Sequence, residues 1–174
     1  WQQYLLYLDD LIHGSFGISM KYLGQPINSL LFPDNMGGFW VTLRLSIYTM
    51  LIAVPFGIIL GAYAGLHKNS WFDKLVVSSN IFFTAVPTMV TGPLFVLILA
   101  VTLQLFPAGG WGDGDFAHLF LPVLVLVLAY SPTIAFVTRG SIIDVLNSNY
   151  IRTARAKGLP TKKILFKHAI KPAI

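Results

Sequence analysis

Three stretches of this chain run almost without charge. Leu45 to Leu66 carries none, Leu75 to Gly112 carries none, and Phe116 to Thr138 has only His118 to interrupt it. A helix needs about 20 predominantly apolar residues to cross a bilayer core. The first and third stretches each match one crossing. The second is longer than one crossing needs, and Pro107 with the glycines after it predicts a helix over Val76 to Phe106 followed by a loop. Helices are the expected solution, because lipid cannot satisfy an open strand edge. The predicted fold class is therefore an all-α, polytopic membrane bundle with spans near 40–66, 76–106 and 116–138. Ahead of them, WQQYLLYLDDLIHG sets Tyr4, Leu5, Leu8, Leu11 and Ile12 near one helical face, with Trp1 and two tyrosines suited to a membrane interface. That segment is read as a helix lying along the outer surface or leaving an earlier span.

Polar and small positions inside the spans refine this reading. Ala53, Gly57, Gly61 and Gly65 recur every fourth residue, a small-residue face on which another membrane helix can pack closely. Pro55 lies in the same helix and removes one backbone donor. In the second span Asn80, Thr84, Thr88 and Thr91 follow a helical spacing that predicts one polar stripe, beside Pro87 and Pro93, which would bend it. Such a stripe faces a water-filled path or a neighbouring helix, unless each threonine bonds back to its own helix. No charge lies deep in a span, which argues against a proton relay and an ion-coupled carrier.

Composition agrees with a membrane protein: 55% of residues are hydrophobic and 11% charged, against about 25% charged in soluble domains. The seven acids are all aspartates, and the absence of cysteine excludes disulfides, thiol catalysis and Cys-based metal sites. His13, His67 and His118 are isolated, and no Ser/His/Asp order, phosphate loop or HExxH occurs, so neither cofactor nor metal is expected. Three spans would leave Lys21 and Arg44 on one side and the other ten cations, from Lys68 to Lys171, on the opposite side. The positive-inside rule assigns the ten to the cytoplasm and the GGWGDGDF loop to the outside. The start at Trp1 and the stop at Ile174, where an apolar rhythm resumes, suggest part of a longer protein with at least one preceding span.

The tail YIRTARAKGLPTKKILFKHAIKPAI, residues 150–174, holds seven cations and no acid. Tyr150 to Lys157 lacks helix breakers, Gly158 suits a helix C-terminus, and Pro160 fits the first turn of a second helix. Lys163, Lys167 and Lys171 would line one face of that helix, opposite Ile164, Leu165, His168 and Ala169. Topology and anionic lipid explain the charge, but not the glycine-stopped TARAKG core.

The block Tyr150-Ile-Arg-Thr-Ala-Arg-Ala-Lys-Gly-Leu159 resembles the cytoplasmic coupling loop of ABC-importer permeases, in the dipeptide, oligopeptide and nickel branch. Gly14-Ser-Phe-Gly-Ile-Ser19, Thr42-Leu43, Trp71 with Asp73, Phe106-Pro107, Leu121-Pro122 and His168-Ala169 agree in order, so the resemblance spans nearly the whole chain. The Gly14–Ser19 segment is similar to the first of that branch's two permease subunits. The wider coupling motif reads Glu-Ala-Ala, three residues, then Gly. Here only Ala154 and Gly158 match it, and Arg152 replaces the Glu, which fits the peptide branch. Ser15 stands where the family often has Asp, and Phe136 where it often has a further Arg.

The resemblance implies a single partial transmembrane domain over 1–174 with a coupling loop near 149–165. Arg152, Thr153, Ala154, Arg155, Ala156, Lys157, Gly158 and Leu159 would meet an ATPase partner. It further implies a second homologous permease subunit, two ATP-binding subunits, an extracytoplasmic substrate-binding protein and surrounding lipid as partners, with no nucleic acid. The setting would be the inner membrane of a prokaryote, and this chain would carry no ATPase site. Dipeptides, oligopeptides, nickel complexes and glutathione all stand as cargoes. A membrane scaffold or an embedded enzyme is the rival class.

Overall fold

A computed structural model describes residues 1–33 and 37–156. Every element among the described residues is helical, apart from an isolated antiparallel bridge between Ile18 and Pro26. The chain forms two compact units, Trp1–Ile47 and the part from Tyr48 onward.

The first unit contains α1 (Gln2–Ile12), α2 (Ile27–Leu31) and the beginning of α3 (Gly38–Leu66). Between α1 and α2 the chain turns through Gly14 and Gly17, both at positive φ, where a side chain would be strained. Asn28 clamps this turn: its side-chain amide donates to the Gly14 carbonyl at 2.5 Å, and its Oδ1 accepts from the Phe16 amide at 2.8 Å. Ser19 Oγ accepts from the amides of Lys21 and Tyr22. The Gly14–Ser19 segment thus owes its composition to a tight, side-chain-bonded turn.

In the second unit, α3 continues unbroken through Pro55 and buries Thr49, Ala53, Gly57, Gly61, Ala64 and Gly65. It packs on α6 (Phe116–Asn147), whose buried face includes Ser131, Ala135, Thr138 and Ile142. A Cβ on Gly57 would come within 2.8 Å of Ile134 and 2.9 Å of the Ser131 carbonyl. One on Gly61 would overlap the Ala135 carbonyl, and one on Gly65 would reach 2.9 Å from Ile142. The contacts advance together along both helices, so α3 and α6 run parallel. The chain between them must therefore return across the layer they span.

That return is made by α4 (Trp71–Ala85), α5 (Thr88–Phe95) and a π-helical segment, Val96–Thr102. Ser70 caps α4 by accepting from the Asp73 amide at 3.2 Å. At Val86 the backbone opens to an extended conformation, as the residue before a proline prefers, and α5 leaves at 99° to α4. The single helix expected over 76–106 is thus two arms joined at an elbow. Pro87 cannot donate a helical hydrogen bond, and Pro93 removes another donor one turn before the π segment, a form rare except where a helix is locally disturbed.

Two helices, α3 and α6, are long and apolar enough to cross a membrane, and the bent pair makes a third if its arms count as one span. Beyond it, Gly110, Gly112, Asp113 and Gly114 turn the chain at positive φ, and Asp115 caps α6. Helix α6 also runs past the expected limit at residue 138, through Gly140, to Asn147, and ends at an extended Ser148. Then α7 (Asn149–Ala156) follows and packs against α6.

Candidate functional site

Helix α7 is built to be seated on one side and open on the other. Ser148, extended and bonded through Oγ to the Val145 carbonyl, ends α6 and redirects the chain. Thr153 Oγ1 donates to the Asn149 carbonyl at 3.0 Å, one turn back. Ile151 is fully buried, whereas Arg152, Thr153 and Ala156 are exposed. Among the described side chains, a buried apolar residue and an exposed cation give the helix a packed side and an exposed side. Ala154 and Arg155 belong to the helix, but their side chains lie outside the described residues. So do Lys157, Gly158, Leu159 and the second helix expected from Pro160.

Close to this end, Arg139 on α6 grips Asp73 on α4. Nε of Arg139 donates to Oδ1 of Asp73, and the arginine Nη2 donates to Oδ2 at 2.8 Å. The Asn69 amide also donates to Oδ2 at 2.8 Å, and the Asp73 residue is only 2% exposed. Charge-assisted fork geometry of this kind is among the stronger polar contacts in proteins. In the sequence, Asp73 stands with Trp71 in the family resemblance and Arg139 is one of the ten cations on one side, matching an arginine of the family, and nothing local joins the two. The signal available was a lone acid next to the membrane and the first cation after the third apolar stretch.

The expected polar stripe is divided by the elbow. Asn80 and Thr84 lie on α4, Thr88 and Thr91 on α5, so the 99° bend prevents the four from sharing one helical face. Asn80 Oδ1 accepts from Thr133 Oγ1 on α6 at 3.2 Å. Thr84 is exposed. Thr91 Oγ1 donates back to the Thr88 carbonyl at 3.2 Å. Thr88 lines a cavity of about 370 Å³, with Gly92, Val96, Pro107, His118 and Leu121. A second, apolar cavity of about 530 Å³ lies between α3 and α6, bordered by Tyr48, Ile52, Phe120 and Val123. Ala53, Gly57, Gly61 and Gly65, the predicted packing residues, are all buried; the three glycines lie against α6.

At the far end of α6, His118 contacts Asp115 at 2.5 Å through Nδ1. The His118 ring, then its backbone amide, holds the Asp115 carboxyl below the usual aspartate range. Among the described residues no group of three His, Asp or Glu side chains could hold a metal ion.

Known proteins give this geometry a context. The model of the binding-protein-dependent transport system inner membrane component family matches residues 53–174. The chain is 44% identical, over 99% of its length, to the oligopeptide transport system permease protein OppB of Salmonella typhimurium. It is 41% identical over its whole length to OppB of Haemophilus influenzae. It is 36% identical over 99% of its length to the dipeptide transport system permease protein DppB of Bacillus subtilis. It spans about half of each: 55%, 56% and 54% of their respective lengths. With a family match covering most of its length and a helical membrane architecture behind it, this chain belongs to the binding-protein-dependent transport system inner membrane components.

Proposed function

We propose that the protein is a permease subunit of an ATP-driven importer that carries peptides across the inner membrane of a prokaryote. The observation that carries this reading is the 44% identity, along 99% of the chain, to an oligopeptide transport permease. A second homologous permease would complete the pathway, two ATP-binding subunits would dock on α7 and the residues after it, and an extracytoplasmic binding protein would deliver the peptide. ATP hydrolysis belongs to those partner subunits.

Within this chain the roles divide by place. The α7 end, including Arg152 through Leu159, is the cytoplasmic contact for the ATPase. Two features support this: α7 is seated by Ile151 with Arg152 exposed, and the loop before α4 with the first turn of α4 shares that end, adding Lys68 and Lys74 to its cations. Asn80, Thr84, Thr88 and Thr91 contribute polar surface to the pathway, with the cavity at Thr88 as its clearest lining. Ala53, Gly57, Gly61 and Gly65 hold α3 tightly enough on α6 for the two helices to move as one.

The test is reconstitution of the full-length subunit with its three kinds of partner in vesicles, with labelled di- to pentapeptides outside. ATP-dependent accumulation is expected. An Ala154→Asp variant should insert and assemble yet lose uptake and binding-protein-stimulated ATPase, because it adds an unpaired charge at a docking surface. Lys162→Ala should change little, as a lone surface cation contributes little. Assembly without uptake in the wild type, or normal coupling in Ala154→Asp beside a defective Lys162→Ala, would contradict the reading.

A further inference from the structure

Among the described residues, Asp73–Arg139 is the one ion pair that joins two different helices. Its carboxylate is held from three directions: by both arginine nitrogens and by the Asn69 amide. The Asp73 amide is meanwhile committed to the Ser70 cap, so the first turn of α4 cannot shift without disturbing the whole set. Arg139 sits on the part of α6 that runs without a break to Ser148 and α7. Further along, Asn80 and Thr133 make a second polar contact between the same helices, and α4 then ends at the Val86–Pro87 elbow. Replacing a buried ion pair by apolar residues is often neutral or even stabilising. What this geometry supplies is a directional, shear-resistant register between α4 and α6.

We propose that Asp73 and Arg139 are positioning residues of the transport step: their pairing delivers displacement of α7, through the end of α6, to α4 and the bent arm beyond it. The proposal rests on the functional reading above, in which α7 receives the motion of the ATPase. In rigid-body switching, small shifts at one contact are transmitted by elements that keep their mutual register. Here the pair keeps that register at the end nearest α7.

The full transporter, assembled with its partners in vesicles, provides the test. Asp73→Asn, Arg139→Gln and the exchanged pair Asp73→Arg with Arg139→Asp would be compared by peptide transported per ATP hydrolysed, a ratio that does not depend on how much complex assembles. The two single variants should keep basal ATPase and lose about tenfold or more in that ratio, the range expected when coupling between sites is cut. The exchanged pair should recover part of it. A ratio equal to wild type in the single variants, with lower yield or thermal stability only, makes the pair a structural brace and overturns the proposal. Failure of all three variants to assemble does the same. A wild-type complex that hydrolyses ATP without peptide uptake would overturn the functional reading, and this proposal with it. Unchanged ratios in a transporting complex overturn this proposal alone.

Discussion

At position 61 there is no room even for a methyl group: a Cβ would overlap the Ala135 carbonyl, a backbone atom that cannot swing aside. Gly61→Leu should therefore push α3 off α6 at a cost of about 1–3 kcal/mol, the usual range for overpacking. The change should show as a lower melting temperature of the purified complex and a lower yield. Leucine at Gly92, where an added Cβ meets nothing within 4 Å, is the control that should leave both unchanged. Asp73 is a different kind of residue. Its importance comes from a partner 66 positions away, so removing either side chain strands a charge where water is scarce.

Helix α7 shows how little an element's length says about its hold. Its eight residues would not stay helical alone in water, and its place is secured by packing on α6 and by Ile151, which is completely buried. Ile151→Ala removes most of that anchor at a cost of about 2–5 kcal/mol. Uptake should fall while membrane insertion, set by α3 and α6, stays intact; limited proteolysis of vesicles should cut faster near residue 150. Intact protection with normal uptake would show that other contacts seat the helix. Much of this element order was legible beforehand, because uncharged runs of membrane-spanning length have one economical structure in lipid. The α3 small-residue face was legible too, as a strict period of four. Its counterpart on α6 was not, since Ser131, Ala135, Thr138 and Ile142 mix sizes and polarities. The Asp73–Arg139 pair was hidden for the same reason: tertiary packing, not local pattern, brings it together. At Val86–Pro87 the local signal was visible, but a proline biases one residue's backbone without setting the 99° that follows.

At the scale of the whole molecule, the parallel course of α3 and α6 requires the chain to come back between them, and the bent pair does so with little length to spare. The 15 residues of α4 reach about 22 Å at 1.5 Å per residue, short of a hydrocarbon layer about 30 Å thick. The elbow consequently lies at membrane depth, with an extended Val86, a proline without an N–H, and a following helix start that no side chain caps. Backbone of this kind is tolerated in a bilayer only against protein or in a water-filled cavity. A stretch that hydropathy marks as lipid-facing must therefore be shielded from lipid at one point, and water is the expected occupant. Because the chain has no native thiol, cysteines introduced singly at Thr84 and Thr88, on either side of that point, report on it directly. Both should react with a membrane-impermeant maleimide, while a cysteine at Ala135, buried under Gly61, should remain unlabelled. Equal protection at all three would mean that protein alone fills the elbow.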